Sequence, residues 1–256
     1  MSIKTILDRL PENAYKKSVR RRLDSQNLSD RDSAWYELMI YDWLESLGKK
    51  PIPEPTIPDS SSKPDFLIRS EDLEVFVEVF VVQESEEDKN TLRQPRVLWT
   101  ADTATFWRMG GRLTRKMGKY SEITETLGAA YVICACLESH LLNLREAATY
   151  FLGNEAYNLA TGTLQFMMDG QIFERHADEP PSVARRYRHI SALLAVKRFR
   201  DTPKSDYRLE FGLIQNPFAL NPIPEDTFGP IRRFVVVSKT ETQYAMDWVS
   251  CQRKSV

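Results

Sequence analysis

A chain of 256 residues that is 42% hydrophobic, with 12 Phe, 10 Tyr and 5 Trp, has the length for one elaborated domain and ample material for a core. Its formal charge of −1 excludes a global attraction to nucleic acid, so any such role must rest on local clusters. The longest apolar stretch, Ala129 to Leu137, is too short for a membrane-spanning helix, and 10 Gly with 14 Pro exclude low complexity.

In chain order, Lys16, Lys17, Arg20, Arg21 and Arg22 form a basic cluster on an N-terminal helix, which reads by default as a solvated face. Trp35, Leu38, Met39, Leu44 and Leu47 mark a helix over Ser33 to Leu47, with Asp32 or Ser33 as its cap and Gly48 as its stop. Pro51, Pro53, Pro55 and Pro58 then force an extended stretch. Asp65 to Arg69 and Leu73 to Val82 read as the two arms of a β-hairpin. Glu84 to Lys89 is an acidic loop, and a helix is expected over Thr105 to Leu127, bent or broken at Gly110-Gly111. Ala129 to Leu137 is a buried strand, and Leu141 to Leu152 a helix ending at Gly153. Asp169-Gly170 marks a hairpin turn, and further strands are expected at His189–Val196, Arg208–Ile214 and Arg233–Val237.

Little in the cysteine and histidine pattern suggests a metal. Cys134 and Cys136 point to one face of the buried strand, which suits two buried thiols, and His140, His176 and His189 lack zinc spacing. Met1 to Leu10 lack the apolar run of a signal peptide, so a cytoplasmic location is expected. There is no P-loop, nucleophile elbow or Cys–His pair.

The hairpin carries the chemistry. Along Leu73 to Val81, Val75, Val77, Val79 and Val81 share one face; Glu74, Phe76, Glu78 and Phe80 share the other. Glu78 thus sits in a very apolar strand, where a carboxylate needs a partner, solvent or a cation. Asp65 opens the companion strand, and two acids so placed offer oxygens to a hard divalent ion such as Mg²⁺ or Mn²⁺.

Pro64-Asp65, twelve intervening residues and Glu78-Val79-Phe80 resemble the PD-(D/E)XK motif of restriction-endonuclease-like nucleases. The order of elements (helix with an acid, hairpin with two acids, helix, buried strand) resembles that fold from Ser33 to Gly153. Lys116, Lys119 and Tyr120 resemble the QxxxY-type element of the RecB-like branch. Leu113 to Tyr120, Ala130-Tyr131-Val132-Ile133 and Asn216 to Ala219 resemble an uncharacterised bacterial branch of the fold. The resemblance implies metal-dependent phosphodiester hydrolysis, with Glu37, Asp65 and Glu78 as metal-facing acids. Phe80 stands in place of the motif lysine, and three readings stay open: Lys116 or Lys119 supplies the missing cation, the domain binds nucleic acid without cutting it, or Glu78 is a structural ion-pair residue.

Charge distribution favours a polyanion. Between Arg93 and Lys119, seven cations (Arg93, Arg96, Arg108, Arg112, Arg115, Lys116, Lys119) face one acid, Asp102, with Trp99, Phe106 and Trp107 interleaved. Arg112, Lys116 and Lys119 make one helical stripe beside the apolar Leu113, Met117, Tyr120 and Leu127. A second patch, Arg185, Arg186 and Arg188 with Tyr187, either extends a phosphate-contacting surface or flanks a turn.

The expected architecture is α/β: a basic helical segment at 1–32, a restriction-endonuclease-like mixed sheet flanked by helices at 33–153, and a C-terminal β-containing α/β extension at 154–256 packed on the core. The expected function is an Mg²⁺- or Mn²⁺-dependent nuclease acting on nucleic acid, DNA first, in defence or DNA processing. Catalysis is assigned to Asp65, Glu78, Lys116 and Lys119, and nucleic-acid binding to Arg108, Arg112, Arg115, Lys116 and Lys119. The alternatives are a silent binding module of the same fold and a scaffold subunit. A homodimer or a partner subunit fits each of them, and no membrane is expected.

Overall fold

Strand β3 (Leu73–Val82) is the axis of the molecule, and its alternation sorts the core into two layers. Val75, Val77, Val79 and Val81 face one cluster and Phe76, Phe80 and Val82 the other, so both sides of the sheet are covered. The structure is a computed structural model and describes residues 3–58, 63–70, 73–83, 103–138, 142–152, 155–158, 163–166, 183–199, 208–239 and 244–250.

The protein is α/β. Among the described residues eight strands make one mixed sheet in the order β1-β2-β3-β4-β7-β8-β9-β10. Its members are β1 (Ile52–Pro53), β2 (Phe66–Ser70), β3, β4 (Ala130–Leu137), β7 (Ala192–Phe199), β8 (Arg208–Gln215), β9 (Arg232–Lys239) and β10 (Tyr244–Ser250). The pairs β3/β4, β4/β7 and β8/β9 are parallel and the other neighbours antiparallel. A separate two-stranded ladder, β5 (Glu155–Asn158) with β6 (Thr163–Phe166), lies against β10 through β6. The segment after residue 153, expected as an extension on the core, thus adds four strands to the same sheet as the hairpin.

Helices α1 (Ile3–Arg9), α2 (Ala14–Leu23) and α3 (Leu28–Ser46) cover the valine face. Helix α3 starts five residues before the expected Ser33: Asn27 is its cap, its side-chain oxygen accepting the Ser29 N–H at 2.9 Å. Asp32 instead accepts from Gln83 Nε2 at 2.8 Å. At the other end Gly48 takes φ 75°, and the Gly48 and Lys49 amides close onto Glu45 and Leu44.

The opposite face holds α4 (Thr103–Met117), α5 (Ser121–Leu127) and α6 (Leu144–Leu152), with the short α7 (Val183–Arg186) beyond. The expected helix over Thr105 to Leu127 is two helices, and the break falls at 118–120, not at Gly110-Gly111. The last carbonyls of α4 are taken by side chains: Tyr131 donates to Lys116 O at 3.1 Å, and His189 Nε2 lies 2.5 Å from Met117 O. Gly110 lies mid-helix because α6 leaves no room there; a Cβ would enter the Tyr150 ring.

The N-terminal basic cluster is not uniformly a solvated face. Lys17, Arg20 and Arg21 are exposed, but Lys16 is buried, its ammonium bonded to Leu10 O at 3.2 Å and Glu12 Oε1 at 2.5 Å. Cys134 and Cys136 are buried free thiols 4.0 Å apart on the valine face. The Asp169-Gly170 turn, the Glu84–Lys89 loop, Arg93, Arg96 and Trp99 lie outside the described residues, as do the side chains of Phe106, Trp107, Arg108 and Arg185. Among the described residues no helix is long and apolar enough to cross a membrane.

Candidate functional site: a carboxylate cluster met by two lysines

The site forms where β3 outruns β2. The β2/β3 ladder ends at Phe66 opposite Val77, and among the described residues the later part of β3 is paired only with β4. Backbone groups on that open edge need partners, and polar side chains supply them. Asp65, the residue before β2, accepts the Val79 N–H on Oδ2 at 2.6 Å. Arg112 of α4 donates to Val81 O at 2.6 Å. Both residues are therefore fixed by the strand edge.

Glu78 is the first residue of β3 beyond the β2/β3 ladder, buried to 2% exposure, on the face that looks at α4. Lys116 Nζ stands 2.5 Å and Lys119 Nζ 3.4 Å from Glu78 Oε1, and the Tyr120 hydroxyl is 3.4 Å from Oε2. Burial and the Glu78 charge push the Tyr120 phenol well above its ordinary value, so it meets the carboxylate as a donor. Lys116 and Lys119 reach the same oxygen because the helix ends between them, turning the chain at Gly118. Phe80, on the same face as Glu78, is buried in the cluster with Met109, Leu113 and Phe151.

Asp65 is half-buried as a residue, and its carboxyl is driven well above the usual range. Burial is the leading cause, followed by the charges of Glu37 and Glu78; the Val79 N–H and Lys116 act in the opposite sense. The three acids therefore share one field. Glu37, from α3, does not stand free for a metal: Arg22 of α2 holds both of its oxygens in a fork, each bond 2.6 Å. Tyr15 lies in this field too, fully buried, its phenol raised by burial and then by the charges of Glu37 and Asp65.

Among the described residues no group of three or more His, Cys, Asp or Glu is drawn together as a metal site. The donor set nevertheless fits a hard cation in its chemistry: carboxylate oxygens alone, with Asp65 raised first by burial and then by the charges of Glu37 and Glu78, a repulsion that a divalent ion would relieve. Glu78 would then exchange a lysine for the ion.

Of the other expected residues, Arg112 is half-buried on the strand edge, and Arg115 is exposed with Nε on Gly111 O. The sequence places Arg22 in a basic helix face and His189 among histidines without zinc spacing, and ties neither to the site. Arg22 is 15 residues from Glu37 on a different helix, and His189 is 72 from Met117, separations at which no spacing rule applies. Comparisons with protein-family models, with curated proteins and with solved structures found no match.

Proposed function

We propose that the protein is a metal-dependent nuclease of the restriction-endonuclease-like superfamily, cutting phosphodiester bonds of nucleic acid, with DNA as the first candidate. One observation carries this reading: the Lys116 ammonium lies 2.5 Å from Glu78 Oε1, so α4 brings a cation to the motif acid that Phe80 cannot serve. Asp65 and Glu78 would hold Mg²⁺ or Mn²⁺, which in such sites activates water and steadies charge on the phosphate. Glu37, held in its fork with Arg22, would keep the field negative from the α3 side.

The chain's own residues have distinct tasks in this scheme. The Val79 N–H orients Asp65 through Oδ2, and among the described residues Oδ1 takes no backbone bond. Lys116, freed from Glu78 when the ion binds, would stabilise the developing charge, and Lys119 would meet the phosphate from the more exposed side. The test is cleavage of plasmid and single-stranded DNA with Mg²⁺ or Mn²⁺, comparing wild type with Asp65→Ala and Glu78→Ala. Cutting that both substitutions abolish supports the nuclease; no cutting, or equal cutting by the variants, removes it.

The second reading is a silent nucleic-acid-binding module, and it too has its observation. Glu78 is already neutralised by two ammoniums and a phenol, an arrangement that is complete without a metal. In that case wild type binds oligonucleotides but leaves them intact under both metals.

A further inference from the structure

The two basic stretches that are 70 residues apart in sequence meet at one corner of the fold. His189 holds Met117 O at 2.5 Å, and its ring stacks parallel to Tyr131 with centroids 6.3 Å apart. Tyr131 in turn donates to Lys116 O at 3.1 Å. The end of α4 and the turn before β7 are thereby joined. Lys119 is two residues beyond Met117 and Arg188 is the neighbour of His189, so both cations spring from the two sides of one contact.

This turn is built, not merely tolerated. The Asn216 side chain, itself buried, donates to Ala184 O at 2.9 Å and Ile190 O at 2.8 Å, with Tyr187 O at 3.3 Å. Arg188 Nε donates to Phe218 O at 3.2 Å, and Leu220 N to Arg188 O at 2.8 Å. Tyr187 anchors from the side, packing on the core and edge-on to His189. With the backbone so held, Arg186 and Arg188 remain exposed, Arg186 lying 5.7 Å from the centre of the Tyr187 ring. Two guanidiniums presented on a rigid turn lose little freedom on meeting an anion, unlike arginines of a loose loop.

We propose that the Arg186–Tyr187–Arg188 turn is a phosphate-backbone binding element, holding the nucleic-acid strand as it leaves the Glu78–Lys116 site past Lys119. The proposal rests on the nuclease or binding reading above. It assigns to this turn a non-specific, salt-sensitive share of affinity, because guanidinium–phosphate contacts release counterions and carry no base information.

The test is fluorescence anisotropy with short fluorescein-labelled single-stranded and duplex DNA, in EDTA so that no cutting occurs, over a series of salt concentrations. Arg186→Gln with Arg188→Gln is expected to raise Kd and to lower the slope of log Kd against log salt by about two, one for each lost phosphate contact. Arg69→Gln, at an exposed arginine on the β2/β3 hairpin, is the charge control and should leave the slope unchanged. Circular dichroism melting of each variant separates lost binding from lost fold; Arg188→Lys, which keeps the charge, should hold most of the slope if Gln costs stability. If wild type binds but the double variant keeps the wild-type slope, the turn has no such role while the function reading stands. If wild type neither binds nor cuts, the function reading fails and this assignment falls with it.

Discussion

The Lys116 ammonium and the Glu78 carboxylate, 38 positions apart in the chain, meet at 2.5 Å with the lysine side chain 28% exposed and the glutamate 3%. The asymmetry decides what each partner's loss would do. Removing Glu78 leaves lysines that water can solvate; removing the lysines leaves a buried charge without a counter-ion. Thermal and urea unfolding should therefore show Lys116→Ala/Lys119→Ala destabilised by about 3 kcal/mol, and Glu78→Gln changed far less. Equal losses in the two variants would contradict this account of the site. In the cleavage assay Lys116→Ala should lose about a hundredfold in kcat, with Lys119→Ala losing less because its ammonium stands 3.4 Å away.

Arg22 and Glu37 make a second asymmetric pair. Glu37 is buried and both of its oxygens are held by Arg22, so Arg22→Ala should cost about 3 kcal/mol in urea unfolding. The double variant Arg22→Met/Glu37→Met should recover most of that loss, since neither charge then remains to be compensated. A double variant as unstable as Arg22→Ala alone would show that the fork contributes by packing and not by charge.

Asp65 supplies a pH signature. Its folded-state carboxyl lies above its unfolded value, chiefly through burial and then through Glu37 and Glu78, so the folded protein binds the proton more tightly. The associated stability is fully present below the ordinary carboxylate value and is lost as pH rises through the folded value. Asp65→Asn, whose amide oxygen can still accept the Val79 N–H, should be more stable than wild type at neutral pH. The difference should shrink as pH falls toward the ordinary carboxylate range. Melting curves at matched pH measure it, and a gap independent of pH would exclude Asp65 as the source.

Gly110 and Gly111 should respond oppositely to alanine. A Cβ at Gly110 meets the Tyr150 ring, so either that ring or α4 must shift, whereas at Gly111 nothing lies within 4 Å. Gly110→Ala should lower Tm; Gly111→Ala should raise stability by up to about 1 kcal/mol through helix propensity. Because α4 carries Lys116 and leads directly into Lys119, activity should follow the first change and ignore the second.

What the residues determined by themselves was much of what depends on period, although β10 and β5 were not read from it. The valine alternation of β3 set its two faces, put Glu78 and Phe80 on the same side, and marked β4 as a strand covered on both faces. Apolar spacing gave the existence of α3 and of a helix before β4, because a 3.6-residue or 2-residue repeat is written locally. The stop of α3 at Gly48 was legible too, but the break after α4 was decided elsewhere. The break at 118–120 depends on Tyr131 and His189 taking the carbonyls of Lys116 and Met117, partners supplied by β4 and by the turn before β7.

Only the tertiary structure could join Arg22 to Glu37, bring both lysines to one oxygen of Glu78, and carry β7 to β10 into the sheet that the hairpin begins. The physical reason is common to all three. A buried carboxylate must find a counter-charge and an open strand edge must find a partner, but neither demand says from which part of the chain the answer will come.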